Sequence, residues 1–159
     1  MLDLKSILMP TDFGASCDTA LKYACGLADL FDAKLHVVHV APKTFSLDDA
    51  EDLRVAKLLE VRDKLYALGP PQVESKLNIH RHVLEGSAAT EIVKYAKENN
   101  VDTIIMGTHG RTGLTHILLG SVAERVMRHA PCNVIVVRPA SSAGPTGETE
   151  DEVRTSEEV

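Results

Sequence analysis

Short apolar runs alternate with longer amphipathic stretches along this chain, and five such runs can be counted. Ser6-Ile7-Leu8-Met9 reads as a compact strand stopped by Pro10. Ser16 stands where a helix cap belongs, ahead of Leu21, Ala24, Cys25, Ala28 and Phe31, which share one helical face. Leu35 to Val40 (LHVVHV) is a near-continuous run rich in β-branched residues, as expected of a strand buried on both faces, and Pro42 closes it. A second helix is predicted from about Asp48 to Leu68, with Val55, Leu58, Val61, Leu65 and Leu68 as its stripe and Gly69-Pro70-Pro71 as its stop. Asn78 to Leu84 (NIHRHVL) is a third, more exposed strand. Gly86-Ser87 opens a helix with Ala89, Ile92, Val93 and Ala96 inward, ending at Asn99-Asn100. Thr103 to Met106 is a fourth strand, Ser121 to His129 a fourth helix, and Val134 to Val137 (VIVV) a fifth strand.

Strict strand–helix alternation implies an α/β fold: a single doubly wound, five-stranded parallel sheet with helices on both faces and right-handed crossovers. Such sheets bind ligands beyond the carboxyl ends of their strands, where strand order reverses. Two loops stand out at that end, Pro10-Thr11-Asp12 after the first strand and the segment GTHGRTGLTHILLGS (107–121) after the fourth. If those strands are neighbours, both loops line one crevice.

The second segment carries the spacing Gly107-x2-Gly110-x9-Gly120-Ser121, with Gly113 outside that pattern as local turn chemistry. Glycine allows close backbone approach and positive φ, so successive amides can face one anion. Ser121 then begins a helix whose free N–H groups favour negative charge. A purely structural reading stands beside this one: Ser121-Val122-Ala123-Glu124 has the form of a capping box, and Gly120 then serves only the turn. Spacing alone leaves both open. No G-x-x-x-x-G-K-[ST] occurs, which excludes a P-loop, and no G-x-G-x-x-G follows the first strand, which excludes the dinucleotide fingerprint. Asp12 likewise has two readings, as a ligand group at the crevice or as a turn organiser accepting backbone N–H bonds.

Composition narrows the partners. The 159 residues suit one domain, 44% of them are apolar, and aromatics are only 4% with no Trp, so a base-stacking surface is hard to build. A net charge of −6 argues further against nucleic acid. Residues 139–159 hold six acids and one base, so the rest of the chain is near neutral. Rich in Ser, Pro, Gly, Thr and Glu, that segment reads as a disordered acidic tail, with a docking role open beside it, and residues 1–138 as the domain. Cys17, Cys25 and Cys132 show no metal or disulfide spacing and suit a reducing compartment. No run reaches membrane-span length and the N-terminus lacks a signal-peptide pattern, so a soluble cytoplasmic protein without membrane partners is expected.

The seven histidines raise the question of a metal. His80 and His82 share a strand face, but no third ligand is evident, and a solvated edge strand explains them better. His36 and His39 lie on opposite faces of the second strand. His109 and Arg111 sit within the glycine segment, where Arg111 can balance phosphate charge or simply face solvent. His116 and His129 read as surface residues, His129 where a helix C-terminus favours a cation.

Taken together, Pro10-Thr11-Asp12, the glycine segment and His129-Ala130-Pro131-Cys132 ahead of the last strand resemble the universal stress protein family, over essentially residues 1–138 in element order. The glycine pattern is similar to that of the family's ATP-binding branch, because members that do not bind ATP typically lack it. The resemblance implies an adenine-nucleotide alpha-hydrolase-like sheet of order 3-2-1-4-5. It implies that Gly107, Gly110, Gly120 and Ser121, followed by Val122, hold the triphosphate and ribose, and that Pro10, Thr11 and Asp12 lie beside the adenine and ribose. It places Val40 where a strand end reads the adenine edge and Met106 just before the first glycine, with Asp12 helping to hold Mg²⁺ or Mn²⁺ through water. It also implies a homodimer seam at Val134 to Val137, which is sensible for a bare apolar edge.

The expected function is therefore an ATP-binding, dimeric stress-response signalling or regulatory module with unknown protein partners and at most slow hydrolysis. The sequence offers no catalytic Lys, no His-Asp pair and no paired carboxylates. A nucleotide-independent dimeric adaptor and an enzyme that cleaves ATP are the alternatives.

Overall fold

The computed structural model describes residues 3–43, 51–69, 76–108 and 119–139. Five strands and four helices alternate: β1 (Ser6–Pro10), α1 (Cys17–Phe31), β2 (Lys34–Ala41), α2 (Glu51–Tyr66), β3 (Ile79–Glu85), α3 (Ala88–Glu98), β4 (Thr103–Gly107), α4 (Ser121–His129) and β5 (Asn133–Val137). All neighbouring strands pair in parallel, and the order is β3-β2-β1-β4-β5, as the sequence led us to expect. Strand β1 is central: Ile7 pairs with Leu35 on one side and with Thr103 on the other. The chain winds outward through β2 and β3, then crosses β1 to build β4 and β5. The order therefore reverses between β1 and β4.

Period-two alternation sends side chains to two apolar layers. Ile7, Met9, Leu35, Val37 and Ile105 meet Ala20, Leu21, Ala24 and Ala28 of α1 and Leu65 of α2 on one face. Leu8, Val38, Ile104 and Met106 meet Ala89, Ile92 and Ala96 of α3 and Ala123 and Val126 of α4 on the other. Small residues on α1 let that helix lie close on the central strands. Strand β2 is buried over Leu35–His39, which accounts for its unbroken apolar run. Strand β5 forms a free edge of the sheet with Ile135 exposed.

Helix α2 departs from its predicted stripe. Only Leu65 of that stripe is buried, Val55 is exposed, and Leu58, Val61 and Leu68 are half-buried. Among the described residues the helix packs chiefly on β2 and β3, at the margin of the sheet, which leaves much of its apolar side uncovered. Its predicted start at Asp48 lies outside the described residues. The predicted tail beyond residue 139 lies outside them too. Gly86 turns the chain from β3 into α3 at φ +150°, a conformation that suits glycine.

A tether not evident from sequence pattern closes the start of the sheet. The Asp102 carboxylate accepts hydrogen bonds from the backbone N–H groups of Lys5 (2.8 Å) and Ser6 (2.9 Å), pinning the entry to β1 beside β4. Among the described residues no helix is long and apolar enough to cross a membrane.

Candidate functional site

A cavity of about 270 Å³ opens at the carboxyl ends of β1, β2 and β4, at the reversal of strand order. Pro10, Thr11 and Asp12 reach it from β1, Val40 from β2, Met106 and Gly107 from β4, and Gly120, Ser121 and Val122 from the start of α4. Gly110 and Arg111 lie outside the described residues. The stem of their segment is described: Thr108 N–H donates to Val137 O (2.8 Å) and Gly120 N–H to Thr108 O (2.6 Å). The two ends of the segment therefore meet at the cavity wall.

The glycines serve a narrower purpose than positive φ. Gly120 has φ −73° and ψ 154°, extended backbone open to any residue, and Gly107 is an ordinary strand residue. Positive φ is therefore not what requires glycine at either position. The capping-box reading is overturned. Gly120 is the N-cap of α4, so Ser121 is the first helical residue and the third is Ala123, which carries no acid. Among the described residues no side chain caps this end; Glu124 instead accepts from Arg128 at 2.8 Å, one turn on. The first turn of α4, Ser121 to Ala123, thus lines the cavity with no side-chain cap among the described residues.

The β1 loop is wound tightly. Asp12 Oδ1 accepts from Gly14 N–H (2.9 Å) and Thr11 Oγ1 from Phe13 N–H (3.0 Å), while the Thr11 hydroxyl donates to Cys17 Sγ (3.1 Å). Asp12 therefore organises its turn and also lines the cavity. Ser16 does not cap α1 as expected: its N-cap position has helical dihedrals, and its buried Oγ has no hydrogen-bond partner among the described residues.

Residues that sequence reasoning did not assign also line the cavity: Ser16, Cys17, His39, Ala88, Ile92 and Thr108 among them. Thr108 follows Gly107 directly and His39 precedes Val40, so adjacency to the assigned positions was the available signal. Burial pushes the Cys17 thiol up from its usual range, opposed by the Thr11 hydroxyl bond, so the sulfur is a poor nucleophile at neutral pH. Asp12 is the sole carboxylate on the cavity wall, and no Lys or Arg lines it among the described residues. The described wall can bind and orient a ligand.

Apart from His39, the described histidines sit away from the cavity. His36 and His39 do face opposite sides of β2: His36 Nδ1 meets the Tyr95 hydroxyl of α3 at 2.8 Å, and His39 Nδ1 meets Thr11 O at 2.8 Å. His80 and His82 are exposed on the edge strand β3, and His80 stacks on His36 with ring centroids 5.6 Å apart. Among the described residues no three ligating groups are placed to hold a metal ion. His129 Nδ1 lies 2.9 Å from Arg125 O at the end of α4, and His109 and His116 lie outside the described residues. The three cysteines form no disulfide and are half-buried.

Residues 4–138 match the universal stress protein family. The chain belongs to that family. Universal stress protein MJ0531 of Methanocaldococcus jannaschii is 40% identical over 139 residues, covering 84% of this chain and 82% of its own length. Universal stress protein MJ0577 of the same organism is 31% identical over 157 residues, covering 87% and 97%. The solved structure of MJ0577 superposes with a TM-score of 0.78 at 32% identity, covering 89% of this chain and all of that one. The family protein UspA from Lactobacillus plantarum gives 0.71 at 25% identity, covering 87% of this chain and 100% of that chain. Family membership accounts for the sheet order.

Proposed function

We propose that the cavity binds an adenine nucleotide, ATP with Mg²⁺ or Mn²⁺, and that the bound nucleotide sets what a dimeric regulatory module presents to its protein partners. One observation carries this reading: nine residues from β1, β2, β4 and α4 converge on a single cavity at the switch point. The uncapped start of α4 suits phosphate oxygens, and the apolar wall of Met9, Val40, Ile92 and Met106 suits a flat base. Family members of the same fold have been solved in complex with cAMP and with dAMP, which is said of those proteins. Gly107, Gly110, Gly120 and Ser121 would hold the phosphates and ribose, and Arg111 would balance their charge. Asp12, as the one carboxylate, fits a divalent ion that takes its other oxygens from phosphate and water, the usual habit of Mg²⁺.

Binding rather than turnover is the reading the wall supports. Phosphoryl transfer needs positioned charge around the terminal phosphate, and the titratable groups of the described wall are Asp12, His39 and the Cys17 thiol, which burial keeps protonated. In this reading residues 1–138 form the nucleotide-binding domain of a cytoplasmic protein, residues 139–159 are an acidic extension, and β5 pairs with its copy. Equilibrium binding of labelled ATP tests it; no measurable affinity at millimolar nucleotide would overturn it. Turnover well above one per minute, lost in Asp12→Ala while binding survives, would favour an ATP-cleaving enzyme instead.

A further inference from the structure

The loop between β1 and α1 is held in a conformation it would not choose alone. Phe13 sits at φ +60°, in the left-handed region that aromatic L-residues avoid. Its ring stacks on His39 with centroids 4.7 Å apart and planes inclined by 29°. His39 also meets Thr11 O through Nδ1 at 2.8 Å; a carbonyl only accepts, so Nδ1 carries the proton and donates. Thr11 N–H donates to Val38 O at 2.9 Å, one residue earlier on β2. Strand β2 therefore grips both the N–H and the C=O of Thr11, and the next residue is Asp12. Both His39 and Thr11 are buried, so neither bond competes freely with water.

We propose that His39 is a positioning residue for the nucleotide site. Its bond to Thr11 O fixes the peptide plane from which Asp12 projects, and its ring braces Phe13 in the strained turn. The turn then delivers Asp12, Ser16 and the start of α1 to the cavity in a preorganised arrangement, so that binding does not have to order them. Without the grip, Phe13 can relax to negative φ, and the loop carrying Asp12 moves with it. This inference rests on the nucleotide reading for its consequence, but the grip itself can be measured without nucleotide.

The test uses the full chain with His39→Leu, His39→Asn and Phe13→Ala. Asn places its amide nitrogen the same number of bonds from Cα as Nδ1, so it can restore the donor to Thr11 O without the ring. His39→Leu should weaken ATP binding by about tenfold or more, the scale of one lost buried bond, while His39→Asn stays within about threefold of wild type. In the nucleotide-free protein, amide exchange at Phe13 and Gly14 should accelerate in His39→Leu and be largely restored in His39→Asn. Phe13→Ala should speed exchange at Gly14, and this readout stands even if His39→Leu folds poorly. If wild type binds ATP and His39→Leu binds it equally well, or if Asn is as weak as Leu, the inference fails. If wild type binds no ATP, the nucleotide reading fails, and unchanged exchange in the variants would then refute the grip as well.

Discussion

Acid should destabilise this fold through one imidazole. His36 is buried against Tyr95, and burial, followed by the nearby His80, Lys34 and His82, lowers its pKa from 6.5 to about 4. No carboxylate is among the groups that shift it, and the partner from α3 is a neutral phenol that meets Nδ1. Above about pH 6.5 the imidazole is neutral in both folded and unfolded chains, and its stabilising contribution is complete. As pH falls below that value the unfolded chain takes up a proton that the folded chain refuses until near pH 4. Stability is therefore lost across the window from about 6.5 to 4. A shift of that size corresponds to about 3 kcal/mol at its limit, and water reaching the ring from the exposed His80 side reduces the expected loss to about 1–2 kcal/mol. Urea unfolding of wild type and His36→Asn from pH 7 to 4.5 isolates the effect. Asn does not titrate and can still meet the Tyr95 hydroxyl, and carboxylates common to both proteins cancel in the difference. The two stabilities should converge, or cross, by about 1–2 kcal/mol as pH falls. A difference that stays flat within about 0.5 kcal/mol, or an NMR titration placing the His36 ring near its usual value, would refute the reasoning.

Three further outcomes follow from named contacts. Gly120→Val should leave circular dichroism and melting temperature essentially unchanged, since φ −73° accepts any residue, while weakening ATP binding by about a hundredfold through a Cβ in the path of the phosphates. Loss of fold instead would make Gly120 structural. Asp102→Ala leaves the N–H groups of Lys5 and Ser6 without their acceptor and should cost about 1–3 kcal/mol in urea unfolding, with faster amide exchange at Ser6. Ile135→Asp puts a charge on the exposed face of the edge strand β5; light scattering should report a dimer for wild type and a monomer for the variant. A wild-type monomer at high concentration would remove the proposed seam.

Element bounds were legible because the apolar pattern and the stops agree at most elements, whereas the strand order was implied by the family resemblance. Pro10 ends β1 in both readings, and LHVVHV is buried on both faces because β2 lies inside the sheet. Helix α2 was the exception, since periodicity shows which side of a helix is apolar but not how much sheet exists to cover it. The capping box failed on a one-residue shift: the pattern S-x-x-E caps only when Ser is the N-cap, and here Gly120 takes that place. His39 could not be assigned from spacing, because its partner Thr11 lies 28 residues away and meets it only when β1 and β2 pair. The tether from Asp102 to Lys5 and Ser6 was hidden for the same reason, as the two ends of that contact are 97 and 96 residues apart.

These long-range contacts share a direction. Asp102 fixes where β1 begins relative to β4, and His39 grips the residue just past its end from β2. Central strand β1 is thus registered at both ends by side chains of its two neighbours, in addition to the ladder bonds that pair them. A sheet that could slide or shear between β1 and β4 would move Asp12 relative to Gly107 and the start of α4, and would spread the walls of the cavity. Holding β1 in register from both sides makes the distance across the switch point a property of the sheet rather than of the loops. The stem of the glycine segment, tied by Thr108 to Val137 and by Gly120 to Thr108, keeps the opposite wall in place.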